Sequence, residues 1–163
     1  MNAKPPSRPK SPKQKGAQSS KKPASSGNVS QTIVNEIDQL SHFSEYGIRQ
    51  LVSRASEFGP YLKQQRLETN QIRKFLDAIN RVKAQLIEAN IEDGSKLLPA
   101  DIEDETVLLK PKLAYAAARQ KAAVPLSDVM SAAIDKTTTF DDFNRLVQFI
   151  ESIIAYHKAE GGK

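Results

Sequence analysis

The chain has 163 residues, enough for one domain and a tail. Its 24 Lys and Arg outnumber 19 Asp and Glu, but residues 1–30 hold seven of the bases and no acid, which leaves 17 bases against 19 acids in the remainder. The folded part is therefore nearly neutral and any basic surface on it must be a local patch; the absence of cysteine excludes disulfides and thiolate metal sites. No apolar run approaches the roughly 20 residues of a membrane span, and the N-terminus has no apolar core of a secretory signal, so a soluble cytoplasmic protein is expected.

Residues 1–30 are rich in Pro, Ser and Lys with almost no large apolar side chain. They cannot bury enough surface to offset the entropy of ordering, so the segment reads as a disordered basic tail, with residues 31–163 as the folded domain. From Gln31 the spacing turns helical. Ile33, Val34, Ile37 and Leu40 form a short stripe, followed by Ile48, Leu51, Val52 and Ala55 in a second helix that Gly59-Pro60 should end. Thr69 is placed to cap a third, in which Ile72, Phe75, Leu76, Ile79, Val82 and Leu86 recur at helical intervals before Asp93-Gly94-Ser95 breaks it. A fourth opens near Asp101, where Glu103, Asp104 and Glu105 suit the positive end of a helix; Pro111 predicts a kink or restart, and Val124-Pro125 should close it. Leu126, Val129, Met130, Ala133 and Ile134 give a fifth. Thr139-Phe140-Asp141-Asp142 resembles a capping box with Asp in the usual Glu position, and opens a last helix that Gly161-Gly162 ends. With no sustained alternation of period two, the fold is expected to be all-α, a compact bundle of about five or six helices.

Catalytic patterns are missing. The two histidines, His42 and His157, are far apart, and no HExxH pair, glycine-rich phosphate loop or GxSxG elbow is present. A binding or assembly protein is expected rather than an enzyme, with no cofactor, metal or small-molecule substrate. Lys112, Tyr115 and Arg119 fall at i, i+3 and i+7, one helix face on which cations flank an aromatic ring, a combination suited to phosphates and the bases attached to them. Lys110 lies beside them. On the third helix Lys74 and Arg81 point away from the apolar stripe and Arg73 lies between; a solvated face with an Arg73–Asp77 pair is the plainer alternative. On the last helix His157 falls on the apolar stripe and Lys158 at its edge; a histidine in that position is more often a buried, hydrogen-bonded core group than a ligand. Arg145, Phe149 and Tyr156 make a second stripe about 100° from the first, so the helix is either central in its bundle or shared with another subunit; the latter is expected.

Three blocks, Thr69–Phe75 (TNQIRKF), Leu108–Arg119 (LLKPKLAYAAAR) and Phe149–Lys158 (FIESIIAYHK), followed by Gly161-Gly162, make the chain resemble the small subunit of type III-A CRISPR effector complexes, the Csm small-subunit family, from about residue 69 to the end. The family often has Gly where this chain has Ala118, which favours a helix running through Arg119. The resemblance implies a non-catalytic helical bundle in the antiviral ribonucleoprotein. It would stack as several copies beside other Csm subunits and line the groove where guide RNA and target RNA pair. By matching position, Arg73, Lys74, Lys110, Lys112, Arg119 and Lys158 are the RNA-contacting or fold-fixing candidates, to which the helix faces add Tyr115 and Arg81. The alternative from another class is a helical protein–protein adaptor whose basic tail does the only nucleic-acid binding.

Overall fold

The computed structural model describes residues 29–90 and 92–162, together with Ala3 and residues 5–7. Among them are seven α-helices: α1 (Val29–Asp38), α2 (Ile48–Gln64), α3 (Thr69–Glu88), α4 (Ala100–Val107), α5 (Leu109–Arg119), α6 (Val124–Asp135) and α7 (Phe140–Ala159). Two 3₁₀ turns, Phe43–Glu45 and Lys121–Ala123, join them, and the one β-bridge pairs Leu97 with Thr139. Because α4 and α5 abut at Leu108, counting them as one broken helix gives six, and the all-α bundle expected from the sequence holds. The tail expectation lies outside the described residues for most of 1–30, but Val29 and Ser30 already belong to α1.

The helix α7 is the axis of the bundle. It packs along α2, against α3 and against the 43–45 turn, while α6 packs between α1 and α5. Phe143, Leu146, Val147, Phe149, Ile150 and Ile153 of α7 are all buried, so both of its apolar stripes face the interior. This corrects the expectation that Phe149 faces another subunit; Arg145 and Tyr156, expected beside it there, are half-buried. Phe149 is enclosed by Phe43 and Tyr46, with ring centroids 5.8 Å away in each case. The Arg145 guanidinium donates to the Tyr46 carbonyl oxygen, and Tyr156 is half-buried against the core. The reason is the 3₁₀ turn after α1, which folds back over α7 and supplies the aromatic cover that a second subunit would otherwise give.

Glycine and proline act differently from their usual roles as breakers. Gly59-Pro60 does not end α2, which runs on to Gln64. A Cβ on Gly59 would lie 2.6 Å from the His157 backbone nitrogen and 2.9 Å from the Ile153 carbonyl oxygen, so glycine lets the backbones of α2 and α7 meet. The helix ends instead where Arg66 adopts a left-handed φ of 66° and the Leu67 N–H returns to the Leu62 oxygen at 3.0 Å. Pro111 occupies the first turn of α5 and Pro125 the first turn of α6, positions whose N–H has no intrahelical acceptor. Val124-Pro125 therefore opens a helix rather than closing one. Thr69 does not cap α3 either; Glu68 precedes the helix, and the Thr69 hydroxyl is engaged elsewhere.

Two buried polar groups hold the loops to α7. Asp142 completes the capping box with Thr139, as the sequence predicted, and its fully buried carboxylate also accepts from the N–H groups of Ser44 (2.9 Å), Thr138 (3.0 Å) and Thr139 (2.9 Å), with His42 Nδ1 at 3.2 Å. Burial alone would raise the Asp142 carboxyl, but these backbone donors outweigh it and hold it well below the usual carboxylate range. His157, also fully buried, has Nε2 2.7 Å from the Leu67 carbonyl oxygen and Nδ1 3.2 Å from the Thr69 hydroxyl. A carbonyl only accepts, so Nε2 carries the proton. His157 is thus a core group joining α7 to the α2–α3 connection.

Phe149→Ala should destabilise the isolated chain by about 3–5 kcal/mol, the usual cost of emptying an aromatic site in a core. Denaturant unfolding measures this, and an unchanged midpoint would return Phe149 to an intersubunit role. Asp142 supplies stability that is complete above about pH 4, the range of an unfolded aspartate, and is lost as pH falls toward its depressed folded pKa. Asp142→Asn should lower stability by about 2 kcal/mol at neutral pH and flatten the decline on the acid side. Identical pH profiles of the two proteins between about pH 2 and 5 would exclude the carboxylate as an acid-sensitive lock.

Candidate nucleic-acid interface

Between α3 and α5 runs a cleft of about 490 Å³, within the range of ligand-sized clefts. Its floor is apolar, with Leu67, Phe75, Leu113 and Leu126. Its rim carries Lys74 from α3 and Lys112, Tyr115 and Arg119 from α5. The register of α5 follows from its own sequence. Leu109 and Leu113, four residues apart, are buried, which turns Lys112, Tyr115 and Arg119 outward on the adjoining face. Tyr115 is 65% exposed, and the Arg119 guanidinium stands 5.6 Å from its ring centroid with a 3.4 Å contact to its hydroxyl.

The electrostatics of the rim are one-sided. Among the described residues the ion pairs join His42 to Asp142, Arg54 to Glu36 and Glu57, and Lys110 to Asp135. Among the described residues Lys74, Lys112 and Arg119 have no acid at contact distance, so their charges are free to meet an external anion. Lys110 is committed to Asp135 at 2.5 Å and ties α5 to α6. Arg73 and Arg81 are exposed on α3 and Lys158 is exposed near the end of α7, but none of them lines the cleft, and Arg73 forms no ion pair with Asp77.

The family model described as Csm2 Type III-A matches residues 45–163. The chain belongs to the Csm2 family of type III-A CRISPR complexes. The match takes in α2 through α7, hence the whole cleft, and reaches further upstream than the three blocks that first carried the resemblance. Among curated proteins no match is found.

In this Csm2-family chain the sequence anticipated the α5 face but missed how the cleft is made. Lys74, expected on the side of α3 away from the core, is exposed and also lines the cleft beside Gln71 and Ala78. Gln71 and Gln120 escaped notice altogether, although the Gln71 Nε2 donates to Gln120 Oε1 and joins the two walls. The available signal was slight: Gln71 and Lys74 are three residues apart and so share a face, but nothing local says that α5 lies opposite.

Tyr115→Ala should leave the thermal midpoint nearly unchanged, within the effect of about 0.5 kcal/mol ordinary for surface positions, since the ring is mostly in solvent. A fall in melting temperature like that of a core deletion would place Tyr115 among the fold's supports rather than at a binding face.

Proposed function

We propose that the chain is a non-catalytic, RNA-binding small subunit of a cytoplasmic type III-A CRISPR ribonucleoprotein, acting in antiviral defence. In this reading it stands among other Csm subunits and stacked copies of itself and lines the groove in which guide RNA pairs with target RNA. The observation that carries the RNA-binding part is the grouping of Lys74, Lys112 and Arg119, uncompensated by any acid, around the exposed Tyr115 ring. Three free cations on an otherwise near-neutral body favour phosphate without attracting every polyanion. A subunit of this kind reads no bases in the duplex. Sequence is set by pairing between guide and target, and the protein holds the backbone. With Phe149 in the core, contacts to neighbouring subunits fall to other surfaces, among them Val107 and Leu108 at the α4–α5 junction, which are 50% and 58% exposed beside Glu103 and Asp104. No helix of the described residues is long and apolar enough to cross a membrane.

Lys112→Ala and Arg119→Ala should each weaken binding to a guide–target RNA duplex to a similar degree whatever its sequence. Each should also make the slope of log affinity against log salt shallower by about 0.7–0.9. Fluorescence anisotropy with the full chain at several salt concentrations measures both quantities. If both variants bind as the wild type does, the interface is not on α5, and Arg73 and Arg81 on the outer side of α3 become the positions to change.

A further inference from the structure

One wall of the cleft carries a buried side-chain oxygen that has no hydrogen-bond partner among the described residues. Gln71 Nε2 donates to Gln120 Oε1, while Gln71 Oε1 is buried and accepts no hydrogen bond from the described residues. A buried acceptor left unpaired is destabilising, and native chains meet it with a protein group, a water or a ligand. Around it the cleft offers an apolar floor at Leu67, Phe75 and Leu113, an exposed aromatic face at Tyr115, and free cations at its rim. The matching ligand is flat and largely apolar, bears an N–H donor on its edge, and is attached to anionic groups on either side. A nucleobase on a phosphodiester chain meets each requirement.

We propose that the α3–α5 cleft takes in a single unpaired nucleobase of bound RNA. The base stacks at Tyr115 and donates an edge N–H to Gln71 Oε1, and the flanking phosphates meet Lys112 and Arg119. The proposal rests on the RNA-binding reading above and adds a second mode to it. A paired base is stacked and has its Watson–Crick edge occupied, so it cannot enter; a bulged, mismatched or single-stranded nucleotide can. Every unpaired base keeps an N–H on that edge, so the pocket would sense the absence of pairing rather than the identity of the base. Charge on the rim and shape in the cleft thus divide the work. The rim holds the backbone of any duplex, and the cleft responds to a defect in it.

The test uses the unmodified full chain and RNA duplexes that differ at one position: fully paired, with a one-nucleotide uridine bulge, with the same bulge abasic, and with 3-methyluridine there. The last keeps the ring and removes the edge N–H. The uridine bulge should bind about ten-fold tighter than the paired duplex, the scale of one base–aromatic stack. The abasic bulge should fall back to the paired value and 3-methyluridine should lie between. In Tyr115→Ala the bulge preference should shrink while the salt slope stays as in the wild type, and in Gln71→Met the difference between uridine and 3-methyluridine should vanish. If all four duplexes bind alike while Lys112→Ala weakens every one, the basic face stands and the base pocket is wrong. If neither Lys112→Ala nor Arg119→Ala affects any duplex, the RNA-binding reading itself fails and the pocket falls with it.

Discussion

Gly59 and the α7 backbone meet without a side chain between them, and the arrangement of the other helices depends on that crossing. The hypothetical Cβ of an alanine there would fall within 3 Å of the His157 nitrogen, the Tyr156 Cβ and the Ile153 oxygen, so any larger residue would push α2 off α7. Close approach draws the two ends of these helices together as well. The Lys63 ammonium donates to the Glu160 carbonyl oxygen at the end of α7, and His157 reaches the Leu67 carbonyl just past the end of α2. The Glu160 carbonyl, at the end of α7, has no intrahelical donor, so the Lys63 bond satisfies a group that would otherwise need water. The same dense packing explains the terminal glycines. Gly161 takes a φ of 86°, and a side chain on Gly162 would run into the His157 ring.

From that axis the polar interior follows a consistent logic in which buried charge is met by fixed backbone donors or by a matched ion. Asp142 gathers N–H groups from the 43–45 turn and from the start of its own helix, which fastens the aromatic cover of Phe43 and Tyr46 over Phe149. Glu36 of α1 meets Arg54 of α2 through both carboxylate oxygens, and accepts from the Tyr46 hydroxyl at 2.8 Å. Burial works to raise the Glu36 carboxyl, yet the Arg54 and Tyr46 hydrogen bonds keep it below its ordinary value; burial and the Glu36 carboxylate push the Tyr46 phenol up. One turn of chain thus joins α1, α2 and α7 through two carboxylates, the buried Asp142 and the half-buried Glu36. A buried carboxylate surrounded by donors is a strut, and its depressed pKa reports how well it is held.

Helix periodicity carried most of the fold because each stripe is a local property: Ile72, Phe75, Ile79, Val82 and Leu86 of α3 are all buried, as are Leu126, Val129, Met130, Ala133 and Ile134 of α6. Punctuation was less legible, for a physical reason. A glycine signals either a break or a close approach, and a proline either an end or a first turn; only the partner element decides. Gly59, Pro60 and Pro125 were all read as stops, and none is. The double stripe of α7 posed the same ambiguity at the level of packing, since a helix covered by its own chain and one covered by a neighbour have the same pattern. The 3₁₀ turn that resolves it spans three residues and leaves no periodic trace. In the candidate site, Lys112, Tyr115 and Arg119 could be placed together because they sit on one helix, whereas Gln71, Lys74 and Gln120 enter by tertiary contact and could not.

The restart at Leu108 links fold to site. Pro111 lacks the N–H that an unbroken α4–α5 helix would need at that position. Breaking the helix puts Pro111 in a first turn, where that N–H has no role, and sets α5 on a new register. That register buries Leu109 and Leu113, pairs Lys110 with Asp135 of α6, and directs Lys112, Tyr115 and Arg119 to the rim of the cleft. The alternation of Lys110 and Lys112 around one proline therefore divides two like charges between two tasks. One is paired with an acid of α6, and the other is left unpaired where α3 contributes Lys74 across the gap. A basic patch assembled in this way needs no net positive body behind it, which is why the folded part can be almost neutral and still carry a local group of cations.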